Sequence, residues 1–600
     1  MYQGEKRVSP HYFSYSVAMH WTCGWFVFIG LLMNYPSSDG KTFYVSDYGA
    51  HPSDNLDDSN AIQLAVNDAA KYGLASEIDF GSGIYTISAT IFITNTSDLT
   101  VRGAGIDQTF LIGYNQVAIF HLLSSERLKI TALSFDYDPL PFTAGYVVNV
   151  NDAYIDVQVV PPHQTDVDRQ IRAILRYDPA HMRPAFGPNA YEIYQVPPHD
   201  VNTTIVSPGV LRLPIGRPAR FRKGDPVIAR YAMQDHAIYA FSVVDLTIQS
   251  ISIYASWSMG FVTVSARRLT VIDYHLLPRN GRWMSSSQDC MHFIDTREYV
   301  SISDSECRAM GDDGLNVHAV FFLVAAVIDS KTIIIQSINR TGPIDIGVGT
   351  DVEISSYLQP FTVHGTGTVS SLTVNSTGSR ILTFTAPVNV SLDDWVCVSD
   401  TPVLTIRNFT VANNRARGVL LETRNIDIRQ STFNRTSGPA VLIQPSLYWH
   451  EGPEARNVSL IENVYIENNE GLAQAGAIIT ILPDPVQLVP AINDIRMESS
   501  TFYMGQYSQM LVRCDNANDL FLRGNYIATN NSSPLISICN SRNVSADNNC
   551  VVNMQTKIDR YYTFDSTSPC TMNLSSLIDL PASAFNSSFP PPVQHKDFST

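Results

Sequence analysis

Positive charge is scarce in this 600-residue sequence: 40 lysines and arginines stand against 56 aspartates and glutamates, for a formal net charge of −16. That balance argues against nucleic acid and against a polyanionic substrate, since either asks for a basic groove. A neutral glycan fits better. Cysteine is sparse too, with eight residues, no Cys-x-x-Cys pair and no zinc-ligand spacing. With Cys23 set aside as part of an N-terminal leader, seven remain, so at least one thiol is unpaired. Cys514 and Cys539 lie 25 residues apart, placed either to bridge adjacent turns of a repeat or to stay separate buried thiols. Only one segment looks membrane-directed, the apolar Val17 to Met33, which follows Lys6 and Arg7. Its length suits a signal-peptide core or a short signal anchor. Also absent is any Asp-x-Asp-x-Asp calcium loop.

What is present is repetition. Short segments with period-two alternation, such as Leu246 to Tyr254, Leu269 to Asp273, Val300 to Asp304, Ile426 to Phe433 and Val458 to Val464, return every 22 to 32 residues, punctuated by Asn, Asp, Ser and Gly. A β-sandwich also alternates, but its turns come every ~8–12 residues and lack this longer period. The pattern predicts an all-β chain folded as a right-handed parallel β-helix, each turn burying the apolar edge of the next. A helix over about residues 59–72, headed by Asp57 and Asp58, is expected to cap the open end, the two acids serving as capping groups. Thirteen Asn-X-Ser/Thr triplets favour a secreted or lumenal glycoprotein of the secretory pathway.

Two stretches break the rhythm. Residues 139–231 are rich in Pro and Arg, and residues 319–400 are strand-rich without Asn-rich corners. Both read as inserted small β-barrels walling a site. The expected order is a leader or anchor (1–38), rungs with the capping helix (39–138), a barrel (139–231), catalytic rungs (232–318), a second barrel (319–400), further rungs (401–560) and a tail (561–600).

The chemistry concentrates in Gly311-Asp312-Asp313-Gly314 and in Asp289, 23 residues before Asp312. One helical turn would set Asp289 and Asp312 nearly above one another, about 4.8 Å apart, with Asp313 alongside. Clustered carboxyls suit glycosidic cleavage, which needs one protonated acid and one ionised partner. A solvated turn or a calcium site is the bland alternative. His292, Asn316 and His318 flank the acids and are placed to meet sugar hydroxyls. Arg282 precedes the first acid; Arg415 and Arg417 resume the rungs after the second insertion. Trp449, beside Glu451, reads as a sugar-stacking platform or as a core tryptophan.

Together, Asp136-Tyr137-Asp138-Pro139, Tyr254-Ala255-Ser256-Trp257, Gln288-Asp289-Cys290-Met291-His292, Gly311 to His318, Arg415-Ala416-Arg417-Gly418 and Trp449-His450-Glu451 resemble glycoside hydrolase family 110, the α-1,3-galactosidases. The resemblance spans roughly residues 43–550. It implies an inverting exo-enzyme on a β-helix with two small barrels, free of metal and organic cofactor. Its implied partner is a glycan ending in α-1,3-linked galactose, of blood-group B or linear α-galactosyl type. It further implies Asp312 as general acid, with Asp289 and Asp313 on the base side. The sequence departs from the family pattern at Arg279-Asn280-Gly281-Arg282 and at Gly452-Pro453, which touches substrate linkage more than reaction class. The competing expectations are a polygalacturonase-like hydrolase or lyase, and a glycan-binding β-helix without activity. A membrane enters only through an uncleaved leader.

Overall fold

The computed structural model describes residues 40–566, apart from 115, 195, 197–201, 216–219, 337–345, 375–378, 473–475, 486, 488–489, 531–534 and 554–558. The leader at 17–33 and the tail beyond 566 lie outside the described residues. So do several of the Asn-X-Ser/Thr triplets.

The chain forms a right-handed parallel β-helix. Leu246, Leu269, Val300, Leu404, Ile426, Val458, Ile495 and Leu520 follow one another in register through successive parallel strands, and all are buried. The period-two alternation therefore places one column of aliphatic side chains inside the coil, where each covers the next. Aromatic rings stack the same way at Phe433, Tyr465 and Phe502, with centroids 5.4 and 4.5 Å apart.

The polar punctuation has a conformational cause. At one corner of the coil, Asp245, Arg268, Asn425, Asn457, Asp494, Asp519 and Asn543 adopt φ between 52° and 59°. This left-handed region costs most L-residues ~1–2 kcal/mol and Asn or Asp least. A second polar column lies inside: the amides of Asn463, Asn525 and Asn549 each donate to a main-chain carbonyl, of Ile428, Met497 and Leu522, at 2.9 Å. These bonds satisfy corner carbonyls that burial would otherwise orphan.

The capping helix runs Ser59–Tyr72. Asp57 accepts from the Ser59 N–H at 3.1 Å and from its hydroxyl at 2.6 Å, while Asp58 accepts from the His51 and Thr86 N–H groups. Both acids are thus spent on the entry turn.

The first insertion is an eight-stranded antiparallel sheet that includes Phe142–Val150, Tyr154–Val159, Ile171–Asp178 and Pro226–Tyr231. The second closes into a six-stranded barrel, each strand paired to the next and the last back to the first. Its opening strand, Leu315–Asp329, is shared. Leu315 to His318 stack between Met291–Ile294 and Val419–Glu422 of the helix, and Phe321 onward belongs to the barrel. The barrel core, with Val320, Phe322 and Val324, packs on Val262 and Val264 of the helix face. That continuity fixes the barrel beside the candidate site. Among the described residues no helix is long and apolar enough to cross a membrane.

The structure pairs Cys290 with Cys307. The bridge considered between Cys514 and Cys539 is not made. Cys514 is in register with Ile538, while Cys539 faces Asp515, so the two sulfurs leave opposite faces of the sheet.

Candidate active site

Asp289 and Asp312-Asp313 sit in stacked turns that feed the strands Met291–Ile294 and Leu315–Asp329. The register pairs Met291 with Leu315, one residue off the expected offset. Asp313, not Asp312, therefore lies over Asp289, and its N–H donates to Asp289 Oδ1 at 3.2 Å. Asp312 points aside, toward the first insertion. The flanking glycines serve close approach. A Cβ on Gly311 would lie 2.3 Å from the Ser287 carbonyl oxygen, and one on Gly314 would lie 2.4 Å from that of Gly418.

One oxygen from each of Asp289, Asp312 and Asp313 falls within 4.8 Å of the others, and all three residues are buried. Each carboxyl is met by donors. Asp312 takes Arg415 Nη1 at 3.0 Å and the Tyr194 hydroxyl at 3.1 Å. Asp313 takes the Arg417 N–H and Nη2, both at 2.8 Å. Asp289 Oδ2 meets His292 Nδ1 at 2.7 Å.

Electrostatics divide the three. Burial pushes Asp312 up, but Arg415, Arg417, Arg230 and the Tyr194 hydroxyl outweigh it and hold this carboxyl below its usual range. Burial pushes Asp313 well up, aided by Asp289 and Asp312 against the pull of Arg417. Asp289 is raised more modestly, because His292 offsets part of its burial. Three adjacent carboxyls thus keep one anion and lean toward sharing protons on the other two. The Tyr194 hydroxyl is pushed up to about 12, chiefly by Asp312.

Several neighbours had no signal in the sequence. Tyr194 and Glu192 come from the first insertion; Glu192 clamps Arg415 with contacts of 2.9 and 2.6 Å. Arg230, also from that insertion, donates to the Ser287 and Gly311 carbonyls and so ties the two acidic turns together. Asn414 Nδ2 donates to the Asp312 carbonyl at 2.9 Å. Glu422 ends an apolar strand one rung beyond His318, in register with it. A lone acid in Val419-Leu420-Leu421-Glu422 was the available clue, once the register is known.

The other expected residues distribute unevenly. His292 and His318 meet through their Nε2 atoms at 2.9 Å, and Glu451 Oε1 lies 3.6 Å from His318 Nε2. Asn316, in register with His292, is buried with its Oδ1 unmatched by any donor. Arg415 and Arg417 meet Asp312 and Asp313. Arg282 does not: its Nη1 is spent on Asp136 at 2.7 Å, and the next residue, Trp283, stacks on Tyr177. Trp449 is 55% exposed, edge-on to Tyr448 with centroids 4.9 Å apart. That excludes the core-tryptophan alternative and leaves a ring face at the surface two residues from Glu451. A cleft bounded by Tyr191, Glu192, Arg415, Arg417 and Gly438 runs beside the acids.

No family model matches the chain. Among solved structures it is similar to the family 28 exopolygalacturonase of Yersinia enterocolitica, with a TM-score of 0.45 and 10% identity over 86% of this chain and 76% of that one. Among curated proteins it is similar to α-1,3-galactosidase B of Bacteroides thetaiotaomicron, 23% identical over 79% of this chain and 84% of the relative. It is likewise similar to α-1,3-galactosidase A of Shewanella woodyi, 25% identical over 74% of this chain and 78% of the relative. Over most of its length, then, the chain is homologous to curated α-1,3-galactosidases, the glycoside hydrolase family 110 enzymes whose motifs its sequence resembles.

Proposed function

We propose that this protein is an inverting exo-glycosidase that releases terminal α-1,3-linked galactose from glycans of blood-group B or linear α-galactosyl type. The observation that carries it is the buried trio Asp289, Asp312 and Asp313, whose oxygens lie within 4.8 Å of one another, on a chain homologous to curated α-1,3-galactosidases. Asp312 is the most accessible of the three, at 8% against 4% for Asp289 and 2% for Asp313. It is therefore best placed to protonate a leaving oxygen entering past Tyr194. Its arginine neighbours favour the anion, so its proton comes from Asp313, whose carboxyl burial pushes well up.

Two features bear on alternatives. Arginines near the acids would suit a uronate substrate, but Arg415 is matched by Glu192 and Asp312 and Arg417 by Asp313. A neutral sugar disturbs neither pair. The compact trio is tighter than the ~6.5–9.5 Å between carboxyls typical of inversion. Yet both oxygens of Asp289 and of Asp313 already accept hydrogen bonds, which blunts either as a nucleophile. We also place the protein in the secretory pathway, on its apolar leader and its sequons.

The test compares a nitrophenyl α-galactoside, a glycan ending in α-1,3-galactose, and polygalacturonate. Hydrolysis of the first two with β-galactose as the first product by proton NMR is the expected result. α-Galactose appearing first would replace inversion by a covalent route, turnover of polygalacturonate would move the protein to another class, and no turnover at all would leave a glycan-binding scaffold.

A further inference from the structure

Behind Asp289 runs a string of hydrogen bonds whose proton count is fixed by geometry. His318 Nδ1 lies 2.8 Å from the Ala319 carbonyl oxygen, which only accepts, so this nitrogen carries hydrogen. His318 Nε2 lies 2.9 Å from His292 Nε2. Two lone pairs do not meet at that distance, so one hydrogen stands between them. His292 Nδ1 lies 2.7 Å from Asp289 Oδ2, and again one hydrogen stands between. These contacts need three hydrogens in all. A carboxylate and two neutral imidazoles supply two.

We propose that Asp289, His292 and His318 hold one extra proton as a unit of zero net charge, that Asp289 is therefore a positioning carboxylate, and that Asp313 is the base. This rests on the galactosidase function proposed above and divides the labour it leaves open. Wherever the extra proton sits along the string, Asp289 presents no uncompensated charge to a water. Its Oδ1 instead holds the Asp313 N–H and sets the angle of that residue.

The surroundings stabilise the loaded string. Glu451 lies 3.6 Å from His318 Nε2 and is hydrogen-bonded to Glu422, whose own proton burial and Glu451 retain. That pair thus contributes one anion. Asp313 also faces His292, Arg417 faces Glu451 and Glu422, and His236 lies near enough to feel the His292 charge, its own proton lost to burial. Burial pulls His292 down, but the hydrogen bond and charge of Asp289, then Glu451 and Asp313, raise it above its usual value. The extra proton is therefore fully bound below about pH 6.5 and is lost as pH climbs through the raised value.

In turnover, water oxygen bonds to C1 as the glycosidic bond breaks. The water proton passes to Asp313, the Asp312 proton passes to the leaving oxygen, and the proton on Asp313 afterwards reloads Asp312. The string neither gains nor loses a proton.

Two measurements on the full chain test this. In histidine-labelled protein, proton NMR should show a strongly deshielded hydrogen coupled to imidazole Nε2, retained in Asp312→Asn and absent from both His292→Gln and His318→Gln. Two ordinary neutral histidines, or stoichiometric zinc in the purified protein with no such hydrogen, would overturn the shared proton. With a nitrophenyl α-galactoside, azide should restore turnover to Asp313→Ala, giving β-galactosyl azide. It should not restore Asp289→Ala, whose alkaline limb should move relative to wild type. Azide rescue of Asp289→Ala, or an unmoved alkaline limb, would make Asp289 the base instead. A protein with the deshielded hydrogen but no galactosidase activity would keep the shared proton and lose the base assignment along with the proposed function.

Discussion

Two stretches of the same coil solve the same problem differently. In the rungs after residue 424, one buried polar column is made of neutral amides, and Asn463, Asn525 and Asn549 each close a bond to the rung before. In the turns at 286–290, 311–314 and 414–418, the buried charges are Asp289, Asp312 and Asp313, met by the half-buried Arg415 and Arg417. Their partners come from elsewhere: Tyr194, Glu192 and Arg230 reach in from the first insertion. Neutral ladders need only their own repeat, whereas burying charges demands compensation that a repeat does not supply. The insertions do more than wall the site; one of them completes its charge balance.

The largest effect that separates the two regions is chemical. Asp312→Asn should cost about 10²–10⁴-fold in kcat, the usual contribution of a positioned acid, with the greatest loss on poor leaving groups. Its melting temperature should fall, since Arg415 loses the carboxylate that the arginines hold below its usual range. Near-normal turnover of an α-1,3-linked disaccharide would remove Asp312 from the mechanism. Asp313→Asn should lose activity on the same scale.

Breaking the compensation instead of the acid should act on stability. Arg417→Met leaves Asp313 buried without its guanidinium, at a cost of about 3–5 kcal/mol. The structure gives the sign with pH: Asp313 is pushed well above its usual range even with Arg417 present, so the variant should recover stability as pH falls and the carboxyl protonates. Denaturant titrations at two pH values measure this, and a loss independent of pH would deny the charge argument.

The neutral ladder should respond more gently. Asn525→Ala orphans the Met497 carbonyl and the Ser500 N–H, for about 1–3 kcal/mol, with kcat per folded molecule unchanged. A drop in kcat would mean that the downstream rungs hold the site's geometry after all.

Legibility in the sequence followed the same division. The ladder was readable because each rung repeats one local pattern, down to the Asn and Asp corners and the Ser59–Tyr72 cap. Asp289, Asp312 and Asp313 were readable as a cluster because they sit about one rung apart. Which acid stacks on which was not, since a one-residue change of register exchanges Asp312 for Asp313. Tyr194, Glu192 and Arg230 were invisible because an antiparallel insertion carries no period tying it to the coil. The partner of Arg282 was hidden for a related reason: Asp136 lies 146 residues away.

Glycosylation offers a smaller test, on the coil's outer corner. Expression in eukaryotic cells should give an endoglycosidase-sensitive gel shift. Asn408, Asn457 and Asn543 should stay bare, because each amide already donates to the neighbouring rung, at 2.8, 3.0 and 2.9 Å. Site mapping by mass spectrometry decides it: glycans on all three would mean these corner bonds yield easily, and no shift at all would count against secretion.

The smallest expected effect is none. Chelator should leave activity unchanged, although two side-chain groups in the site have metal-like spacing. In the first, oxygens of Asp289, Asp312 and Asp313 already accept from Arg415, Arg417, Tyr194 and a main-chain N–H. Calcium wants six to eight oxygens and would have to displace those donors. In the second, His292, His318 and Glu451, the two Nε2 atoms face each other at 2.9 Å with room for a shared hydrogen. Activity lost to EDTA and restored by calcium would assign the carboxyls to a cation and favour a lyase. Restoration by zinc alone would assign the histidines instead and end the distinction between a charge-balanced site and a metal-held one.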